Sequence, residues 1–265
     1  DVDVAAGVDR RVVFADWLTS GSNPFFARSI SNRIWGHVVG RGIVDPVDDF
    51  RDSNPPSNPE LLNYLADQLV QSNFSARHLI RTIMTSRVYQ LSSKRNRFNA
   101  DDETYFSHAT TRMLTAEQLL DAICAVTGQA EEYPGMPAGT LAIDLVDPPE
   151  GHKFLQVFGQ PQRELPCECE RSTDSNLSQA LQLINGPTVH NKLRADAGNV
   201  HRWITEGKSD ADIINLLYQS ALSRPALPQE QETAAAHIKA SEDRTRALED
   251  VAWAVINSKE FLFQH

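Results

Sequence analysis

Helical periodicity is the feature of this sequence that most constrains its fold. Apolar residues recur three and four positions apart in many segments, for example at Phe26, Ile30, Ile34 and Val38. This spacing places them on one face of a helix, where they can pack against a core. Several such segments follow a Ser, Thr or Asn that can cap the first turn. The sequence therefore predicts a mostly α-helical fold, a multi-helix orthogonal bundle.

A proline-rich stretch over residues 129–170 interrupts the helical pattern. Its prolines are Pro134, Pro137, Pro148, Pro149, Pro161 and Pro166. Within it, the segments "TLAIDLV" and "KFLQVFG" have the composition of short strands. We therefore predict an irregular insertion that contains one short β-hairpin. Residues 1–265 are predicted to form a single α-helical domain, with 1–128 and 171–265 as its helical parts if it is subdivided.

Charge and motifs exclude several classes of protein. The net charge of −10 argues against nucleic-acid binding, which needs clustered Lys and Arg. No stretch approaches the ~20 apolar residues of a membrane-spanning helix, so no membrane span is predicted. The metalloprotease motif H-E-x-x-H, a glycine-rich phosphate loop and the G-x-S-x-G elbow are absent. These absences argue against most standard classes of cofactor-dependent enzyme.

The motif "CECER", Cys167 to Arg171, holds two of the three cysteines in the chain. Thiolates are soft metal ligands, but the usual zinc spacing has two residues between the thiols, and further ligands such as His152 would be required. A disulfide to Cys124 and ordinary packing of structural thiols are the alternatives. Structural thiols are the favoured interpretation, and a metal or redox site at Cys167 and Cys169 remains open.

Carboxylates are the candidates for acid–base chemistry. The loop "DPVDDFRD" contains Asp48 and Asp49, and "CECER" contains Glu168 and Glu170. Paired carboxylates can hydrolyse glycosidic bonds when burial raises the pKa of one of them. An oxygen-rich loop also suits calcium, although the spacing does not fit the EF-hand pattern. Solvation and capping of the loop is the favoured interpretation.

Polar residues interrupt the apolar pattern of the helix in "NPFFARSISNRIW". Arg28, Asn32 and Arg33 lie on it, and buried polar groups need partners. An ion pair from Arg28 to Asp48, or from Arg33 to Asp49, would tie the acidic loop to this helix. We favour this structural pairing over catalysis.

Six motifs in order give the sequence a family resemblance. They are "NPFFARSISNRIW", "GRGIVDPVDDF", "PSNPELLNYLADQLV", "SARHLIRTIMTSRVYQLSS", "FGQPQRELPCECERS" and "LSQALQLING". The chain resembles the planctomycete-specific domain of unknown function at the C-terminal end of large planctomycete surface proteins. The resemblance extends from about Arg10 to Phe263. It implies an extracytoplasmic location, periplasmic or at the cell surface, in a longer protein whose cytochrome c-type haem domain lies outside this chain.

The resemblance identifies residues of this chain that match the family pattern, but it implies no activity. The family pattern covers Asn32, Arg33, Trp35, Asp48, Asp49, Cys167, Cys169, Glu170, Arg171 and Asn185 here. Arg28, Asn32, Arg33, Trp35, Arg171 and Asn185 are our candidates for a binding site or polar cluster. Cys124 lies outside the family motifs, which weakens the case for a disulfide to it.

Three hypotheses about function follow. The favoured one is a non-catalytic module that docks the neighbouring cytochrome c-type domain, a cell-surface partner or a glycan. The second is a polysaccharide hydrolase or lyase that uses the carboxylates, since family members are often encoded beside a secreted sulfatase-like protein. The third is a metal or redox site at Cys167 and Cys169. No cofactor other than that metal is expected in this chain, and whether the chain is an enzyme stays open.

Overall fold

The computed structural model of the chain describes residues 7–147, 149–161 and 177–264. Within these ranges the secondary structure is predominantly α-helical and the only sheet has two short strands, which confirms the predicted fold class. The chain divides into two compact units, the first ending at Arg112 and the second comprising Met113–Gln264. Whether residues 1–265 act as a single domain stays a prediction.

The first unit is built from four helices in its described part. They are α1 (Arg10–Leu18), α2 (Pro24–Val39), α3 (Pro59–Gln71) and α4 (Ala76–Met84). The Asn23 side chain caps α2 by accepting hydrogen bonds from the Phe25 and Phe26 N–H groups, and Pro24 occupies the first turn. Apolar faces of α2, α3 and α4 bury a core that includes Trp35, Leu65 and Leu79.

The second unit contains the remaining helices and both strands. They are β1 (Arg112–Met113, whose first residue closes the first unit), α5 (Ala116–Thr127), the 3-10 helix η1 (Ala142–Asp144), α6 (Lys153–Val157), α7 (Leu177–Asn185), α8 (Pro187–Leu193), α9 (Asn199–Thr205), α10 (Asp210–Leu222), α11 (Pro228–Ala240), α12 (Arg244–Ile256), α13 (Lys259–Leu262) and β2 (Phe263–Gln264). Thr115 and Gln118 form a capping box at the start of α5. The Leu114 N–H donates to the Leu262 carbonyl at 3.0 Å, beside the paired strands.

The predicted β-hairpin in the insertion is wrong. "TLAIDLV" forms η1, because the Asp121 carboxylate accepts from the Ala142 and Ile143 N–H groups at 2.7 and 3.1 Å. "KFLQVFG" forms α6, with Phe154 and Phe158 one turn apart and both buried. Short apolar runs fit either a strand or a buried helical turn, and tertiary contacts decide between them.

Described residues of the insertion lie in the core of the second unit. Tyr133, Ala142, Leu145, Phe154, Leu155 and Phe158 are buried together with the apolar face of α5. The insertion therefore supplies core side chains in this unit, although its backbone is mostly irregular. Among the helices described, none is long and apolar enough to cross a membrane.

Candidate functional site

Residues 40–58, between α2 and α3, form the loop that we call the acidic loop, and Asn32 fixes this loop to α2. The Asn32 side chain is fully buried, and its Nδ2 donates to the carbonyl oxygens of Val44 (2.8 Å) and Val47 (2.9 Å). Its Oδ1 accepts from the Val44 N–H at 2.9 Å. The close approach needs glycine, since a Cβ on Gly42 would lie 2.1 Å from the Val44 carbonyl oxygen. Asn32 thus completes the hydrogen bonding of a buried loop backbone, which would otherwise be costly to bury.

Arginines neutralise both aspartates predicted as catalytic candidates. Arg33 Nη2 lies 2.5 Å from Asp48 Oδ1, and Arg51 forms two 2.6 Å hydrogen bonds with the Asp49 carboxylate. Arg33 therefore pairs with Asp48 and not with the expected Asp49, because the Asp49 carboxylate is bound by Arg51. The expected Arg28–Asp48 pair is not formed either, since Arg28 donates to the Asn63 side chain on α3.

This pairing is unfavourable for acid–base chemistry in the loop. The Arg51 guanidinium holds the pKa of Asp49 below its usual value. A catalytic acid needs a raised pKa near the working pH, so the shift is in the wrong direction. In the described part of the chain, no group of three or more His, Cys, Asp or Glu side chains is placed to hold a metal ion.

Trp35, another predicted site residue, is a core residue of the first unit. Trp35 is 2% exposed, packs edge-on against Phe106 at 5.2 Å between ring centroids, and belongs to the core of the first unit. The predicted site residues Cys167, Glu168, Cys169, Glu170 and Arg171 lie outside the described residues.

Lys192 on α8 is the centre of a polar cluster in the second unit. We call the side chains of Cys124, Glu131, Tyr133, His152 and Lys192 the Lys192 cluster. Lys192 Nζ lies 2.9 Å from Glu131 Oε2 and donates to the carbonyl oxygens of Gln129 (3.1 Å) and Ala130 (3.0 Å). Its side chain is only 10% exposed. Three acceptors match the three ammonium protons, so Lys192 clamps the start of the insertion to α8.

His152 belongs to the same cluster. Its Nδ1 accepts from the Leu155 N–H at 3.4 Å and caps α6, and its Nε2 lies 3.6 Å from Glu131 Oε1. Its ring centroid is 6.0 Å from that of Tyr133. Both ring nitrogens of this predicted metal ligand therefore face partners within the second unit.

The pKa shifts in the Lys192 cluster favour a structural role for its side chains over a role as nucleophiles. Burial raises the pKa of the free Cys124 thiol, which disfavours the nucleophilic thiolate. Burial also raises the pKa of Tyr133, whose hydroxyl has no hydrogen-bond partner among the described residues. The nearby His152 imidazole, followed by the Lys192 ammonium, lowers the pKa of Glu131. The sequence does not reveal this cluster, because His152 and Lys192 lie outside the segment that holds Cys124, Glu131 and Tyr133 and share no motif with it.

A groove lies between α11 and α12 in the second unit. It has a volume of about 860 Å³. Its lining residues are Tyr218, Leu222, Leu227, Gln229, Glu230, Thr233, Ala234, His237, Asp250, Val251, Trp253, Ala254, Val255, Ser258 and Glu260. Most of the α11 and α12 residues recur at three- and four-residue spacing, as expected for two helix faces turned toward one space. We call it the α11–α12 groove.

Ion pairs mark the two ends of the α11–α12 groove, and small residues lie between them. At one end Arg224 bridges Glu230 and Glu260 with N–O distances of 2.6 to 2.9 Å. At the other end His237 Nε2 lies 3.4 Å from Asp250 Oδ2. Between these ends the facing positions include alanine, serine and threonine, which leave room between the two helices. No feature of the sequence alone identified this groove.

A smaller, more polar cavity lies beside α12. It has a volume of about 280 Å³ and is lined by Ile184, Asn185, His190, Leu193, Arg194, Glu249, Asp250 and Trp253. Asn185, a predicted site residue, therefore borders a cavity. Asp250 and Trp253 line both this polar cavity and the α11–α12 groove.

Comparison with known proteins adds one finding. The sequence profile of a family described as PSD1, Protein of unknown function (DUF1553), matches residues 10–144 and 145–238. Searches of curated proteins and of solved structures found no match.

Proposed function

We propose that this chain, which belongs to the PSD1 family of proteins of unknown function (DUF1553), is a non-catalytic binding module. Its ligand site in this proposal is the α11–α12 groove. The resemblance described above supports an extracytoplasmic protein that carries this module beside a cytochrome c-type domain. That neighbouring domain is the partner that we propose first.

The α11–α12 groove is the observation that carries the proposal. Small-molecule sites are concave, mostly apolar and often ~300–1,000 Å³ in volume, and grooves that bind an amphipathic helix are likewise concave and apolar. The groove has about 860 Å³ and apolar walls that include Leu222, Val251 and Val255. Leu227 at its margin is 55% exposed and extends the apolar lining.

The shape and charge of the α11–α12 groove favour a short amphipathic helix with basic residues. From Gln229 to His237 the α11 wall is about 12 Å long at 1.5 Å per residue, or roughly two helical turns. An apolar helix face fits between two helices in this way. Three carboxylates, on Glu230, Asp250 and Glu260, line the groove; Arg224 pairs with Glu230 and Glu260, and His237 faces Asp250. A positively charged partner is complementary to this surface.

The hydrolase alternative receives less support from the same observations. Asp48 and Asp49 are paired with arginines. In the groove, Arg224 lowers the pKa of Glu230, which opposes a role as general acid.

Peptide binding tests the proposal. The probe is a synthetic Leu/Lys peptide of about 18 residues, long enough to form an isolated helix, with a Leu/Glu peptide of the same pattern as control. Ala254→Leu fills the α11–α12 groove, whereas Ala236→Leu places the same side chain on an exposed position of α11 outside the lining. We expect A254L to weaken Leu/Lys binding about tenfold or more, a change of about 1.4 kcal/mol, and A236L to leave it unchanged.

Two results would contradict the proposal. Equal affinity of the native protein and A254L for the Leu/Lys peptide would place binding elsewhere. Equal affinity for the Leu/Lys and Leu/Glu peptides would remove the argument from charge.

A further inference from the structure

The polar cavity beside α12 has a chemistry that the proposed function does not use. Its walls differ in kind: α7, α8 and the residue after α8 contribute Asn185, His190 and Arg194, and α12 contributes Glu249 and Asp250. One wall therefore carries a guanidinium and a carboxamide, which donate hydrogen bonds, and the opposite wall carries carboxylates, which accept them.

Neighbouring residues leave part of this bonding capacity unused. Glu249 Oε1 pairs with His201 Nε2 at 2.8 Å, which leaves Oε2 available, and Asp250 uses Oδ2 toward His237. His190 Nε2 donates to the Ile184 carbonyl oxygen at 3.1 Å, so its Nδ1 can accept. The Arg194 guanidinium is exposed and makes no ion pair within the described part of the chain.

Trp253 contributes an aromatic side chain to the lining of the polar cavity. The indole is partly buried, and its Nε1–H is buried with no hydrogen-bond partner among the described residues. Ile184 and Leu193 extend the apolar surface.

We infer that the polar cavity binds one neutral pyranose ring, as a unit of a glycan. A sugar hydroxyl both donates and accepts, so adjacent hydroxyls can bond the carboxylates on one wall and Arg194 or Asn185 on the other. The carbon-bound hydrogens of the ring form an apolar face that packs on an indole. Two carboxylates against one guanidinium disfavour an anion such as phosphate. The inference does not depend on the proposed role of the α11–α12 groove.

The test uses nuclear magnetic resonance of the indole N–H groups of the whole chain. The probes are the methyl glycosides of glucose, galactose, mannose and N-acetylglucosamine, with inorganic phosphate and glycine as charged controls. Trp253→Phe assigns the resonance. We expect at least one glycoside to shift the Trp253 signal with a Kd of about 1 mM, a typical weak affinity. The Trp35 signal, from the buried core of the first unit, should not move.

Variants restricted to the polar cavity distinguish this site from the groove. Asn185→Ala and Arg194→Ala remove exposed side chains that line only the cavity, so folding should be unaffected. We expect each to abolish the shift, and Arg246→Ala, an exposed α12 arginine outside the cavity, to preserve it. The inference is overturned if no glycoside shifts Trp253, if phosphate or glycine does so instead, or if the shift persists in both cavity variants.

Discussion

Asn32 provides the sharpest test of how the first unit is held together. Asn32→Ala removes three hydrogen bonds to the acidic loop, two of which are buried: Nδ2 to the Val44 carbonyl and the Val44 N–H to Oδ1. Each buried polar group left without a partner costs about 1–3 kcal/mol, so these two bonds predict a loss of about 2–6 kcal/mol. The bond to the Val47 carbonyl is only partly buried and adds less, because water can replace it.

The neighbouring residue supplies a matched control. Arg33→Ala removes the Arg33–Asp48 ion pair, whose side chains are 40% and 57% exposed. Pairs this exposed contribute about 0–1 kcal/mol. Asn32→Asp distinguishes the loss of hydrogen bonds from the loss of side-chain volume. It keeps the size of the side chain but places a carboxylate oxygen against the carbonyl oxygens of Val44 and Val47. We expect it to destabilise at least as much as Asn32→Ala.

Native-state hydrogen exchange measures the effect on the first unit directly. The buried α3 amides, such as that of Leu65, report the opening of this unit. A loss of about 2.8 kcal/mol accelerates their exchange about 100-fold, at 1.4 kcal/mol per factor of ten. If Asn32→Ala accelerates exchange no more than Arg33→Ala does, the buried hydrogen bonds are not what fixes the loop.

Three further predictions concern the Lys192 cluster. Lys192→Met should destabilise the second unit by about 3 kcal/mol in urea unfolding, because Glu131 and the carbonyl oxygens of Gln129 and Ala130 lose a partly buried ammonium. The lowered pKa of Glu131 predicts stability that is present above its unfolded value of 4.5 and lost as pH falls through the folded value; Glu131→Gln should flatten this dependence in acid unfolding curves. Burial of the Cys124 thiol predicts that, in a variant whose other two cysteines are serine, it reacts with a disulfide reagent much more slowly in native than in unfolded protein.

Local signals made the helices of the chain predictable. Asn23 with Pro24, and Thr115 with Gln118, begin helices where the sequence places a cap. Asn32 was also informative, because a polar residue on an apolar helix must find a buried partner. The identity of that partner was not predictable, since it is the loop backbone twelve or more residues away rather than a side chain.

Long-range packing determined what the sequence could not predict. "TLAIDLV" fits a strand by composition, and a carboxylate on α5 makes it a 3-10 turn. Glu131 and Lys192 meet only because α8 packs near the insertion. The α11–α12 groove depends on which faces of two helices oppose each other, and Ala234 and Ala254 become informative only once that is known.

Hydrogen exchange of the peptide complex tests the central claim, that the second unit binds a partner in the α11–α12 groove. With the Leu/Lys peptide bound, we expect slower exchange in two segments, residues 229–237 on α11 and 250–258 from α12 onward, which form the walls of the groove. Exchange in α3 and α4 of the first unit should be unchanged. Protection that appears in the first unit instead, or nowhere, while the peptide is bound would contradict the account.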